Sequence, residues 1–170
     1  MQHYQKTLKQ KVECKGVGLH SGKLISLSIH PAPADSGIVF VRTDLNPFVS
    51  IPALAPYVVD TRYATVLGKD GVTTGTVEHL LSALHGLGIG NARIELDGEE
   101  VPVMDGSAAP FVYLIKSAGV MQQPALQKYI VVTRPVDVGQ GDKTVSIYPD
   151  PSFRIRYDVD FDHPLIGQQS

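Results

Sequence analysis

The sequence has little cysteine, little excess charge and no long apolar run. The single cysteine, Cys14, excludes an internal disulfide and a cysteine-rich zinc site, and it fits a reducing compartment. The formal net charge is −2, so the chain has no excess of basic residues, which argues against nucleic acid as the main partner. No apolar run approaches the ~18 residues of a membrane span, so we expect any membrane contact to be at the surface.

What remains is an ordinary globular composition. The chain has 170 residues, of which 43% are hydrophobic and 19% charged, so it has enough apolar material for a real core. This length fits one domain, or one domain and part of another.

The stretch 76–88 has the strongest local pattern. Its apolar residues recur at helical spacing, at Val77, Leu80, Leu81, Leu84 and Leu87. Thr76 is the predicted N-cap, and Glu78 and His79 turn away from the apolar stripe in the first turn. The helix dipole there favours a carboxylate anion and a neutral imidazole, which suits a general base beside a metal ligand. Taken alone, such a pair is more often a solvated face.

The remaining elements follow from alternation and turn residues. Residues 1–48 are predicted to be β, with a first strand at 8–18 and a half-buried strand at 24–30. Residues 46–60 look irregular. A second helix is predicted to begin after Ser107 as its cap and to end at Gly119, followed by a linker over 121–127.

The end of the sequence repeats its beginning. Lys23–Pro33 resembles Lys143–Pro151: in both, a glycine turn leads through a lysine into a strand that closes with Pro-x-Pro. This predicts an α+β fold in which residues 1–126 form a complete two-layer β-α-α-β sandwich domain. Residues 127–170 would then be the opening strands of a second, homologous domain. Because that copy stops before any helix, we expect it to be truncated.

Several motifs, together with the repeat, point to a family. They are Gly16–Gly22, Arg42–Leu45, Thr76–Leu80, Met104–Phe111 and Asp160–Pro164. They closely resemble the zinc-dependent UDP-3-O-acyl-N-acetylglucosamine deacetylases of lipid A biosynthesis, over about the first half of a family member. The resemblance implies two domains, each a layer of strands packed on two helices, with the active site between them.

The resemblance also implies an activity and a cofactor. The family hydrolyses the 2-acetamido group of UDP-3-O-acyl-N-acetylglucosamine and releases acetate, the committed step toward lipid A. By motif, His79 would be a zinc ligand, and Glu78 would be the general base that takes a proton from the attacking water. Zinc with three protein ligands and an open position suits amide hydrolysis, because it activates water near neutral pH and polarises the carbonyl.

Further site residues follow from the resemblance. Lys143 and Phe161 match positions that contact the nucleotide, where a lysine suits diphosphate and a ring suits uracil. A solvated turn lysine and a core phenylalanine are the equal alternatives. Arg62 and Tyr63 could line an acyl-chain passage, and His20 faces the cleft or stands exposed in its turn.

The motifs leave the zinc site incomplete. The family's other two zinc ligands, a histidine and an aspartate, and a further catalytic histidine belong to the half that this sequence does not match. We therefore expect residues 1–170 alone to lack deacetylase activity and to need that missing C-terminal half as partner. The expected location is cytoplasmic, with peripheral contact at the inner membrane.

Two other interpretations stay open. One is a different amidohydrolase on the same scaffold. The other is a non-catalytic module that binds a nucleotide or a protein through its exposed strands. An RNA-binding role rests on fold analogy alone, and the lack of a basic patch disfavours it.

Overall fold

A computed structural model describes residues 3–170, and the chain divides after Gln127 into a first unit and a second unit that begins at Lys128. The first unit holds the helices α1 (Glu78–Gly86) and α2 (Ala109–Ala118). Its strands are β1 (Tyr4–Leu8), β2 (Val12–Val17), β3 (Leu24–Pro31), β4 (Ile38–Arg42), β5 (Val49–Pro52), β6 (Val58–Asp60), β7 (Val66–Lys69), β8 (Val72–Thr74), β9 (Ala92–Leu96) and β10 (Val120–Leu126). The second unit holds β11 (Val136–Gln140), β12 (Lys143–Ile147), β13 (Val159–Asp160) and β14 (Gln168–Gln169).

The first unit is built on a five-stranded sheet of order β2-β3-β9-β4-β5. β4 runs parallel to β9, and the other neighbours are antiparallel. The apolar residues of β3 alternate as predicted, and Ile25, Leu27 and Ile29 are all buried. They form one core with apolar side chains of the two helices, namely Leu80, Ala83, Leu84, Phe111, Ile115 and Ala118. The predicted α+β class and strand-on-helix layering are therefore confirmed.

Residues 120–126 are a strand and not the linker that their sequence predicts. β10 pairs antiparallel with β1, with Lys6 opposite Gln122 and Leu8 opposite Val120. The polar composition is accommodated because the backbone makes the ladder, while the buried amide of Gln123 hydrogen-bonds Asn91 and the Ala32 carbonyl. The first strand, predicted over 8–18, is observed as β2 at Val12–Val17. Its predicted start is wrong, because Leu8 ends β1, a separate strand of a different sheet.

The segment 46–60 is more regular than predicted. It contains β5, a single 3-10 turn at Ala55–Tyr57 and β6. β6 begins a three-stranded sheet with β7 and β8, whose last residue, Thr74, lies just before α1. This small sheet therefore brings residues 61–65 to the start of the helix.

The second unit contains two antiparallel hairpins, β11–β12 and β13–β14. In β11–β12, Val136 pairs with Ile147 and Gln140 pairs with Lys143. Every residue of these two strands is exposed. Across residues 3–170, no helix combines the length and the apolarity that crossing a membrane would need.

Candidate active site at the start of α1

The start of α1 differs from the prediction at Thr76. The helix begins after Val77, and Thr76 has a left-handed backbone with φ of 55°, an uncommon conformation for a β-branched residue. Its hydroxyl does not cap the helix. It donates a hydrogen bond of 2.9 Å to Oε1 of Glu100 instead. A charged acceptor thus holds Thr76 outside the helix, which is why the local cap prediction was wrong.

Glu78 is the first residue of α1 and is half-buried. Its Oε2 accepts a hydrogen bond of 3.0 Å from the backbone N–H of Thr65. This bond ties one carboxylate oxygen to the turn before β7. The Glu78 carboxylate is thereby fixed in orientation at the helix start.

His79 follows, and its Nδ1 atom is buried without a hydrogen-bond partner among the described residues. Buried polar atoms are nearly always paired, so such an orphan nitrogen indicates a missing partner or ligand. An imidazole of this kind fits a metal ligand. Within residues 3–170, however, no cluster of three or more histidine, cysteine, aspartate or glutamate side chains could hold a metal.

Asp105 lies in the turn before α2. Its Oδ1 accepts bonds of 2.8 and 2.9 Å from the hydroxyl and the N–H of Ser107. These bonds lower the pKa of Asp105 below its ordinary value. Ser107 in turn accepts a hydrogen bond from the N–H of Ala109, the first residue of α2. The cap position is Ala108, without a side-chain cap, so the predicted cap at Ser107 is wrong by one residue. Asp105 belongs to the Met104–Phe111 motif, one of those that carry the family resemblance.

A pocket of about 350 Å³ lies beside the start of α1, and its lining includes His20, Arg62, Tyr63, Thr76 and Glu100. Three of the predicted substrate-binding residues are therefore brought together. Arg62 donates to both carboxylate oxygens of Asp60, so its charge is already paired. Tyr63 is 94% exposed, with a left-handed φ of 67°.

Lys143 and Phe161 lie in the second unit. Lys143 opens β12, and Phe161 follows β13 and donates its N–H to the carbonyl of Gly167. Both side chains are exposed. Their assignment to the nucleotide stays a prediction.

Glu100 is the residue that sequence reasoning missed, and no local pattern singles it out. It is 4% exposed, and it accepts hydrogen bonds from the backbone of His20 and Ser21 as well as from Thr76. Burial by itself would raise the pKa of Glu100. The donors on His20, Ser21 and Thr76 outweigh that effect, so the pKa lies below its ordinary value.

Comparison with known proteins shows what the chain is similar to. The family profile described as UDP-3-O-acyl N-acetylglycosamine deacetylase matches residues 5–170. A UDP-3-O-acyl-N-acetylglucosamine deacetylase of Myxococcus xanthus is 58% identical over 166 residues, covering 98% of this chain and 53% of the relative. Proteins of the same name from Saccharophagus degradans and Anaeromyxobacter dehalogenans are 53% and 50% identical, covering 95% and 98% of this chain and 53% of each relative. The chain thus spans about half the length of these curated relatives.

Proposed function

Because the chain belongs to the family of UDP-3-O-acyl N-acetylglycosamine deacetylases, we propose that the protein containing it removes the acetyl group from a UDP-linked, 3-O-acylated N-acetylglucosamine. The product acetate would be released in the committed step of lipid A biosynthesis. The observation that carries the proposal is the pair at the start of α1, where a fixed Glu78 carboxylate adjoins a His79 ring with an orphan nitrogen.

Hydrolysis of the acetamido group needs an activated water. Water adds to the carbonyl carbon, the C–N bond breaks, acetate keeps the water oxygen and the amine nitrogen takes a proton. We assign the general base to Glu78. With Oε2 held by the N–H of Thr65, its other oxygen can accept a proton from the attacking water without a change of rotamer.

We assign His79 as a metal ligand, with zinc as the proposed metal. Zinc, when bound, would supply a Lewis acid that polarises the carbonyl and lowers the pKa of water. His79 fits because its buried ring nitrogen lacks a partner among the described residues. One histidine is not a zinc site, so the other ligands would come from outside residues 3–170.

We assign substrate contacts to the pocket beside α1 and to the second unit. His20, Arg62 and Tyr63 line the pocket next to Glu78 and His79, which supports a role in holding the sugar or its acyl chain. Because Arg62 is ion-paired with Asp60, we propose that it contributes to the shape of the pocket more than it offers a free charge to the substrate. Lys143 and Phe161 would hold the diphosphate and the uracil of the nucleotide.

We also propose a cytoplasmic location with peripheral contact at the inner membrane, because the substrate carries an acyl chain. The first strand of the small sheet and the segment before it offer exposed apolar side chains for such contact, among them Leu54, Val58 and Val59. Co-sedimentation with vesicles of anionic phospholipid tests this contact. A Val59→Asp variant that sediments as well as the parent protein would contradict it.

The main test uses a chimera that completes residues 1–170 with the unmatched portion of the Myxococcus xanthus relative. Zinc-dependent acetate release is measured with UDP-3-O-acyl-N-acetylglucosamine as the substrate. Glu78→Gln should lower kcat by about 10²–10⁴-fold, the usual contribution of a general base. His79→Gln should lower both kcat and the zinc content, and Glu13→Gln on the outer face of the sheet is the matched control.

The outcomes separate the candidate functions. A folded, zinc-loaded chimera that releases no acetate, or that keeps full kcat with Gln at position 78, would contradict the proposal. A substrate panel that varies the nucleotide and the acyl chain distinguishes another amidohydrolase. For residues 1–170 alone, we expect no acetate release above that of a Glu78→Ala control.

A further inference from the structure

The buried carboxylate of Glu100 joins two segments that border the start of α1. We propose that Glu100 is a positioning residue, which holds the His20 turn against the left-handed Thr76 and so sets where Glu78 and His79 stand. The proposal rests on the proposed function for its kinetic consequence only, because its structural part concerns contacts within this chain.

Both oxygens of the carboxylate are occupied by protein donors. Oε1 accepts the N–H of His20 at 3.0 Å and the hydroxyl of Thr76 at 2.9 Å. Oε2 accepts the N–H of Ser21 at 2.9 Å. A buried charge is costly unless it is compensated in this way, so the donors and the carboxylate are a matched set.

The turn is shaped around the carboxylate. A Cβ at Gly18 would lie 2.4 Å from Oε2 of Glu100 and 2.3 Å from Oγ of Ser21. The turn itself is closed by bonds from Gly22 N–H to the Gly18 carbonyl and from Gly18 N–H to the Lys23 carbonyl. Glycine at position 18 is thus what lets the His20 turn approach Glu100 closely.

The segment before α1 is also hydrogen-bonded to the residues on either side of Glu100. The N–H of Gly75 donates to the Glu99 carbonyl at 2.9 Å, and the N–H of Val101 donates to the Gly75 carbonyl at 3.0 Å. Thr76 comes next with φ of 55°, a strained backbone that persists only where its surroundings hold it. The Glu100 side chain provides that hold through the Thr76 hydroxyl.

The consequence is a fixed geometry between His20 and the Glu78–His79 pair. His20 and Thr76 line the same pocket, and Glu78 follows Thr76 by two residues. Because its oxygens are taken up by the protein, Glu100 acts through His20 and Thr76 and not on the substrate directly.

The structural test compares Glu100→Gln with Glu99→Gln by NMR of the 170-residue chain. Glutamine keeps the shape of glutamate but has one acceptor oxygen, so an NH₂ group must face at least one of the three donors. We expect hydrogen-exchange protection of the His20 and Ser21 amides to fall about tenfold or more, since bonds to a charged acceptor are the strong ones. The backbone amide signals of Glu78 and His79 and the ring signals of His79 should shift as well. Glu99→Gln, which loses only an exposed pair with Lys23, should leave all of these signals in place.

Two results would overturn the proposal. One is unchanged exchange at His20 and Ser21. The other is a response confined to those two residues with Glu78 and His79 unmoved, which would make Glu100 only a local anchor of the turn. If Glu100→Gln fails to fold, Thr76→Val removes one donor and keeps the side-chain shape. It should shift the signals of both His20 and His79, and a shift of only one would likewise contradict the proposal.

The kinetic test uses the chimera at a temperature where each variant is fully folded. Glu100→Gln should lower kcat about tenfold or more with a smaller change in KM, because displacement of catalytic groups reduces the rate of the chemical step more than it weakens substrate binding. Glu13→Gln is the control. An unchanged kcat in a folded variant would contradict the positioning role. An inactive parent chimera would contradict the proposed function, and the NMR comparison would then decide the role of Glu100 independently.

Discussion

Two hairpins of this chain share a pairing pattern and differ in burial. In β2–β3, Val12 lies opposite Ile29, and in β11–β12, Val136 lies opposite Ile147. Ile29 is fully buried, whereas Ile147 is 51% exposed. The sequence repeat places these two isoleucines at corresponding positions.

The difference lies in the neighbours and not in the strands. β3 pairs with β9 on its second edge, and its apolar face meets the core formed with α1 and α2. Within residues 3–170, β12 pairs with β11 alone. An alternating strand therefore specifies which face can be buried, and the surrounding elements decide whether burial happens.

The strongest test of this difference in burial is to truncate each isoleucine to alanine. Ile29→Ala should lower the free energy of unfolding by about 2–5 kcal/mol, because it removes a fully buried side chain and leaves a cavity. Ile147→Ala should change it by no more than about 0.5 kcal/mol. Urea denaturation followed by circular dichroism measures both. Equal losses for the two variants would show that the second hairpin is as buried in solution as the first.

A smaller loss of stability is expected when the buried amides that join β1 and β10 to the rest of the first unit are removed. Nδ2 of Asn91 donates to Gln5 and Gln123 at 2.8 Å each, and its Oδ1 accepts the N–H of Gly37. Asn91→Ala should cost about 1–3 kcal/mol, since it leaves buried partners unsatisfied. The same urea transition measures this loss. A change in the free energy of unfolding below about 0.5 kcal/mol would show that apolar contacts alone, and not the buried amides, stabilise the first unit.

The first unit should also lose stability in acid. The pKa of Glu100 is lowered by its donors, and the pKa of Asp44 is lowered by the bidentate pair with Arg42. Since the unfolded chain binds these protons at higher pH than the folded chain, the stabilisation is full above pH ~4.5 and is lost as the pH falls below it, through the lowered values. Unfolding measured from pH 7 to pH 3 checks this. Glu100→Gln should give a shallower acid loss than the parent chain, and identical slopes would contradict the lowered pKa of Glu100.

The smallest expected effect compares the two lysines that open the repeated strands. Lys23 makes an exposed pair of 3.0 Å with Glu99, so Lys23→Ala should cost less than about 1 kcal/mol. Lys143→Ala should change stability equally little but raise KM for the UDP-linked substrate several-fold in the chimera. An unchanged KM for Lys143→Ala, with Lys23→Ala as its control, would leave Lys143 a solvated turn residue.

Local patterns carried much of the fold. Helical spacing placed α1 and α2, alternation placed β3, and the turn glycines placed the first hairpin. Those patterns depend on contacts within a few residues, which the order of the chain encodes directly. β10 was missed because its partner, β1, lies more than a hundred residues away and its own composition is polar.

The sequence by itself determined which residue types stand at the start of α1, and its motifs and repeat identified the family. Tertiary structure alone decided how that site is held. Glu100, Thr76 and the His20 turn come from three separate stretches, and their contact depends on the folded sheet bringing them together. The physical reason is that a buried carboxylate must be satisfied by donors wherever the fold supplies them, and no local pattern names those donors in advance.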